Sequence, residues 1–321
     1  MSPSALVILN RASGTGHPAS VVDELAKELQ SGYGAPLQVQ FVVVDDHPGA
    51  RSAAAHHASA GARPSLIAAA GGGGTLRAVV EGVMEAFPDT PPGPEVVRLA
   101  ALRMGSGNII ARALGFPRDP RAAARLVGEG LARNLTEPVA VIRCRHGLPG
   151  GGTAVRHAVT MCGLGQWGLV PGDISRWRER HARGRKRVAS WVGLERVNVF
   201  EYVMFGAARI LAGTVSRSRC PMVEIDGAKH MRLLALAALN LPLPPLPDPG
   251  VAIGDEAIGL TVVPRLGRPF RRRLEAGESF TLRLLDRDSV EFFLDEDPEE
   301  ATGWLTLDVA GVLAFVRGQI S

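Results

Sequence analysis

Charge and thiols are both scarce in this chain. Only 21% of its 321 residues are charged, against 46% apolar. That balance excludes a disordered, solvating polypeptide and leaves enough apolar material for packed cores in two domains. Cys144, Cys162 and Cys220 are an odd number, widely spaced among apolar neighbours. A disulfide framework is thereby excluded, and free thiols in a reducing cytosol are expected. No Cys/His cluster has zinc spacing. No apolar run reaches the roughly 18–20 residues that span a bilayer. The start, MSPSALVIL, lacks the basic flank and small-residue cleavage site of a signal peptide. The expectation is a cytoplasmic protein.

What is abundant is glycine in one place. Ser65–Val83 reads as a buried strand (Leu66–Ala70), the turn Gly71-Gly72-Gly73-Gly74, and a helix. Thr75 sits where an N-cap belongs. Leu76, Val79, Val80, Val83 and Met84 recur at the spacing of one apolar helical face. Four successive glycines exceed what a turn requires, since each costs conformational entropy. They let a ligand approach the backbone, and a helix start offers unpaired N–H groups and a positive dipole end to an anion, phosphate above all. No Gly-Lys-Ser/Thr follows, so this is not a Walker A loop. Arg77 stands where a dinucleotide fingerprint has its third glycine.

Two more strand–loop–helix passages accompany it. Strand Ala5–Leu9 leads through Asn10-Arg11-Ala12-Ser13-Gly14 to a helical stripe of Val21, Val22, Leu25, Ala26 and Leu29. Strand Val96–Leu102 leads through Arg103-Met104-Gly105-Ser106-Gly107-Asn108 to a helix from Ile109 to Leu114 and a break at Gly115-Phe116-Pro117. With Leu37–Val44 and a helix around Ala50–Ala60, these alternate as a parallel sheet covered on both faces. His56 and His57 on that helix read as surface residues. Ligands of such sheets bind outside the carboxyl ends of the strands, where all three loops lie.

These segments resemble the diacylglycerol kinase catalytic-domain family, which includes bacterial lipid kinases and sphingosine kinases. Gly71–Thr75 is similar to its GGDGT signature, with Gly73 in place of the aspartate. Asn10, Ser13 and Gly14 match its N-P-x-S-G motif, with Arg11 for proline. Residues 103–117 resemble its P-x-G-T-G-N-D-x-A-R-x-L-G-x-P segment, with Ser106 for Thr and Ile109 for Asp. The resemblance implies ATP at Asn10, Ser13, Gly14, Gly71, Gly72, Gly73, Gly74, Thr75, Gly105, Ser106, Gly107 and Asn108, with Mg2+ as companion ion. NAD kinase shares a related GGDGT fold, but the first and third loops follow the lipid-kinase pattern.

Beyond Glu137-Pro138, β-rich segments separated by turns are expected of an antiparallel sandwich: Val139–Cys144, Thr153–Cys162, Pro221–Ile225, Met231–Leu239, Gly259–Val263, Phe280–Leu285 and Ser289–Leu294. One helix, roughly Ser190–Leu211, interrupts them. The expected organisation is a nucleotide-binding α/β domain over residues 1–136, completed by 305–321, and a β-rich substrate domain over 137–304. Leu241–Pro249 is a proline-rich loop where the family carries an Asn-Gly turn, with Asn240 as the candidate asparagine. The family's metal-holding Asp-Gly pair falls near Ile258-Gly259; Ile258 cannot ligate, so no metal residue is assigned.

The net charge of +4 is concentrated. Arg176–Arg187 holds seven Lys/Arg and one Glu, a local +6, beside Trp177 and Trp191. Two readings stand: a solvated loop, or peripheral contact with anionic lipid at the inner membrane face, where each Lys/Arg contributes about 1 kcal/mol. No nucleic-acid module accompanies the patch. Near the end, Leu294-Asp295-Glu296-Asp297 resembles the family's D-G-E motif, whose last carboxylate acts on the substrate hydroxyl. The resemblance therefore implies Asp297 and Asp295 as catalytic, against a plain reading as a polar strand end. Two functions remain open: an ATP-dependent lipid kinase acting on diacylglycerol or a similar lipid, or a non-catalytic relative that binds nucleotide or lipid.

Overall fold

The structure, a computed structural model, describes residues 3–13, 21–60, 65–88, 90–104, 109–181, 194–243, 248–295 and 297–318. The chain divides into two compact units, Met1–Ala140 with Gly311–Ser321, and Val141–Ala310.

In the first unit, β1 (Ser4–Asn10), β2 (Gln38–Val44), β3 (Leu66–Gly71) and β4 (Arg98–Arg103) run parallel in the order β2-β1-β3-β4. Strands β1, β3 and β4 are buried almost throughout, as expected of a sheet covered on both faces. The end of the last strand, β15 (Trp304–Val316), lies parallel beside β4, Phe315 opposite Leu99.

Helices α1 (Val21–Tyr33), α2 (His47–Ser59), α3 (Gly73–Ala86), α4 (Ile109–Ala113) and α5 (Pro120–Ala132) accompany the sheet. Helix α2 starts cleanly because the Asp46 side chain accepts from Gly49 N–H and Pro48 sits in the first turn. Helix α5 starts likewise at Asp119 and Pro120. Helices α2 and α3 touch backbone to backbone: a Cβ at Gly82 would collide with the Arg51 carbonyl oxygen.

Helix α3 departs from its sequence reading twice. It begins at Gly73 with Gly72 in the N-cap position, so Thr75 lies within the first turn and caps nothing. It is also buried on every side from Thr75 to Met84. Two charged residues go inside with the apolar ones. Arg77 reaches Glu81 at 3.4 Å, and Arg51 of α2 reaches Glu81 at 3.5 Å, which offsets the desolvation that an unpaired charge would suffer.

The second unit is antiparallel. One sheet runs β14 (Asp297–Thr302), β13 (Ser289–Leu294), β7 (Met161–Gly165), β9 (Lys229–Leu239), β10 (Ile258–Pro264) and β11 (Phe270–Leu274). The early half of β9 pairs instead with β8 (Met222–Ile225), and β8 with β12 (Ser279–Leu284), which meets the start of β15. Strands β5 (Thr136–Gly147) and β6 (Thr153–Ala158) form a further antiparallel pair. The expected single strand Thr153–Cys162 is thus two, β6 and β7, broken at Val159-Thr160. Helices α6 (Val170–Arg180) and α7 (Leu194–Val215) complete the unit. Within the described residues the expected helix Ser190–Leu211 is α7, which runs four residues further, to Val215; Ser190 lies outside them.

Candidate functional site

Register places the expected loops together. Asn10 lies opposite Val44, Leu9 opposite Ala70, and Gly71 opposite Arg103. The strand ends of β2, β1, β3 and β4 therefore form one row at the carboxyl edge of the parallel sheet, where such folds bind ligands. Two buried polar residues tie the row. Asn10 Nδ2 donates to Thr75 Oγ1 at 3.2 Å, and Asn10 Oδ1 accepts from Ala12 N–H at 3.0 Å. Ser13 Oγ donates back to the Asn10 carbonyl at 2.9 Å. The first-turn N–H groups of α3 have no partners within the helix ladder.

Three glycines of the turn differ in what a side chain would meet. A Cβ on Gly71 would collide with the Thr75 side chain, so that glycine is needed for the Asn10–Thr75 contact. A Cβ on Gly74 would run into the His47 imidazole, which overlies the turn from the start of α2. A Cβ on Gly73 meets nothing within 4 Å. The position that resembles the family's aspartate is therefore open space, with room for a side chain that this sequence lacks.

The surrounding charges are mostly committed. Asp45 receives both Arg11 Nε at 3.0 Å and Nη2 at 2.9 Å. That hydrogen bonding holds its carboxyl below the ordinary value. Asp46 is used as the α2 cap. On the other flank, Arg103 is buried and donates to the Phe116 carbonyl at 3.3 Å. Burial, then the charges of Arg118 and Arg112, lower its pKa from the ordinary value. Three guanidiniums are thus within electrostatic reach of one another at the end of β4. Neither this cluster nor His47 stood out in the sequence, where each looks like a scattered surface residue. Gly14 and Gly105, Ser106, Gly107 and Asn108 lie outside the described residues, as do Arg183, Arg185, Lys186 and Arg187.

In the second unit, β13 and β14 form a hairpin in which Leu294 pairs with Asp297. Asp295, at its corner, takes φ +49, a conformation that Asp tolerates in tight hairpins. Its buried carboxylate accepts from the N–H groups of Val159, Thr160 (2.7 Å) and Met161 (3.0 Å) and from the Thr160 hydroxyl. These are the residues at the break between β6 and β7, which explains why that strand splits. Asn240 joins the same bend, donating from Nδ2 to the Val159 carbonyl. Asp297 is half-buried at the start of β14. Among the described residues, no group of three or more His, Cys, Asp or Glu is placed to hold a metal ion.

The fold and this row define a class: a parallel α/β unit whose strand ends meet at a glycine-opened helix start, joined to an antiparallel β unit. Residues 4–142 match the family model of the diacylglycerol kinase catalytic domain. No curated protein matches the chain. The crystal structure of a diacylglycerol kinase from Bacillus anthracis str. Sterne is similar at a TM-score of 0.60 and 16% identity, covering 98% of this chain and 97% of that one. A second crystal structure from the same organism, described as a candidate diacylglycerol kinase, gives a TM-score of 0.65 at 16% identity over 99% and 98%. At that identity the likeness establishes the fold, an α/β unit followed by a β-rich one.

Proposed function

We propose that the chain is an ATP-dependent lipid kinase that transfers the γ-phosphoryl group to a hydroxyl of diacylglycerol or a similar lipid. The observation that carries this reading is the Asn10–Thr75 tie beneath the glycine turn, within the segment matched by the kinase family. The residues fit a nucleotide's phosphates. Backbone N–H groups at the start of α3 supply directed donors, and the guanidiniums of Arg103, Arg112 and Arg118 supply positive charge. Asn10, Ser13, Gly71–Thr75 and the loop 105–108 form the proposed nucleotide side.

In the reaction, a lipid O–H attacks the γ-phosphorus as the bond to the β–γ bridging oxygen breaks, releasing ADP. The hydroxyl proton passes to a carboxylate, and we assign that role to Asp297. Asp295 is reassigned from the catalytic pair. Its oxygens already serve four donors at the β6–β7 bend, so it positions the hairpin that carries Asp297. The fit to Mg2+ is poor. Gly73 and Ile109 replace the expected carboxylates, and Asp45 and Asp46 are engaged elsewhere; no step is routed through the ion.

Gly73 is also what favours the second reading, a relative that binds nucleotide or lipid without transfer. Isothermal titration with ATP, with and without magnesium, followed by radiolabel transfer to a mixed lipid extract, separates the two. Binding with transfer is expected, and binding without transfer would establish the sensor. In the kinase reading the protein acts from the cytoplasm on a membrane-borne acceptor. Among the described residues no helix is long and apolar enough to cross a membrane.

A further inference from the structure

Helix α7 is apolar on its outer side. Within Phe200–Val215 the only charged residues are Glu201 and Arg209, and both turn inward. Glu201, only 1% exposed, receives Arg178 Nε of α6 at 2.7 Å, and Arg209 Nη2 donates to Asp173 at 2.7 Å. Gly206 and Gly213 share that inner side, against Trp167 and against Gln166 and Leu234. The outer side carries Phe200 (64% exposed), Val203 (45%), Met204 (38%), Leu211 (66%) and Val215 (78%). These fall at i, i+3, i+4, i+11 and i+15, one stripe about 22 Å long at ~1.5 Å per residue. Ala207, Ala208 and Thr214 fill the gaps, so the stripe contains no charge. Scattered exposed apolar residues need no explanation, whereas a continuous, uncharged helical face does.

Exposed cations lie at both ends of the stripe, with exposed Glu179 beside Arg180 at one of them. Trp177 and Arg178 lie beside Phe205 and Glu201, which brings the end of α6, with exposed Arg180, to the first half of α7. Beyond the other end come exposed Arg217 and Arg219. None of Arg180, Arg217 and Arg219 enters an ion pair among the described residues. An apolar stripe bracketed by unpaired cations complements one environment well: the acyl–headgroup boundary of an anionic bilayer, with the helix lying in the interface.

We propose that α7 is a membrane-docking surface, its Phe200–Val215 stripe seated among the acyl chains and Arg180, Arg217 and Arg219 on anionic headgroups. The chemistry of the occupant is a phosphatidylglycerol-type lipid surface. A lipid acceptor for the kinase reading is consistent with such a surface, but the inference stands on the exposed face of α7.

The test is co-sedimentation of the full chain with phosphatidylglycerol-containing vesicles and with purely zwitterionic ones, across a salt series. The parent should bind the anionic vesicles, with a component that survives high salt. Phe200→Glu combined with Leu211→Glu should lower partitioning at least tenfold and remove the salt-resistant component. Both sites are exposed, and near-parent unfolding temperature and ATP affinity would verify the fold. Replacing Arg180, Arg217 and Arg219 with Gln should remove the salt-sensitive component. Equal binding of the Glu variant and the parent would overturn the proposal, as would a parent that binds no vesicles. So would a lipid-free parent dimer, by sedimentation velocity, that the Glu substitutions dissociate, because the face would then be a contact between copies. Vesicle binding without ATP binding would retain the surface and remove the kinase reading; ATP binding without vesicle binding would do the reverse.

Discussion

At the scale of single residues, the four glycines of the turn are not equivalent, and neither are the two aspartates. Gly73 faces open space, so Gly73→Asp should fold as the parent does and raise magnesium-dependent transfer, because it restores a carboxylate at the position that resembles the family's aspartate. No gain in a variant that still binds ATP would argue that activity does not wait on that carboxylate. A substitution at Gly74 is a poorer probe than the sequence implies, since its first effect is to displace His47. The aspartates separate by readout. Asp295→Ala strips the acceptor from three backbone N–H groups at the β6–β7 bend and should cost on the order of 3–5 kcal/mol in denaturant unfolding. Asp297→Asn should leave stability and ATP affinity nearly unchanged while turnover falls about 10²-fold or more. If Asp297→Asn transfers phosphate at the parent rate, the proton acceptor is another group.

At the scale of elements, α6 and α7 are held by buried charge. Burial raises the Asp173 carboxyl, but its hydrogen bonds from Arg209 and then Arg176 outweigh this and set it below the ordinary value. A lowered carboxyl stabilises fully above its unfolded value of about 3.9 and loses that contribution as pH falls through the lower folded one. Asp173→Asn should reproduce the loss at neutral pH, at roughly 2–3 kcal/mol, with faster hydrogen exchange along α7 and little change in the first unit. Much of this architecture was legible beforehand. The strand–loop–helix alternation is a signal of local periodicity, and β1 to β4 follow it closely. Two features were hidden because they depend on partners far along the chain. Thr75 looks like a cap until Asn10, 65 positions earlier, is seen to donate to its hydroxyl. Thr153–Cys162 reads as one strand until Asp295 is found at its bend. The burial of Arg77 and Glu81 was likewise invisible to an amphipathic pattern, which assigns charged positions to water.

At the scale of the whole molecule, two strands pass from one unit to the other. Strand β5 crosses after Ala140, and β15 crosses back at Gly311. Gly311 takes φ +147, and a Cβ there would strike the Pro91 ring. Leu313, Phe315 and Val316 are buried in the first unit. Deleting residues 311–321 should therefore expose the edge of β4, lower the solubility of the chain, and abolish ATP binding even though the glycine turn is intact; titration and light scattering would read both effects. The returning strand also sets a timetable. At a ribosome adding about 5–20 residues per second, the nucleotide-side unit has its first segment in hand at Ala140, and the 170 residues of Val141–Ala310 follow before its closing segment emerges. That is a wait of roughly ten to thirty seconds, during which β4 has an open edge and the second unit can form. The unit synthesised first is the one completed last, so chaperone engagement should be concentrated on nascent chains that have passed β4 and not yet reached Gly311.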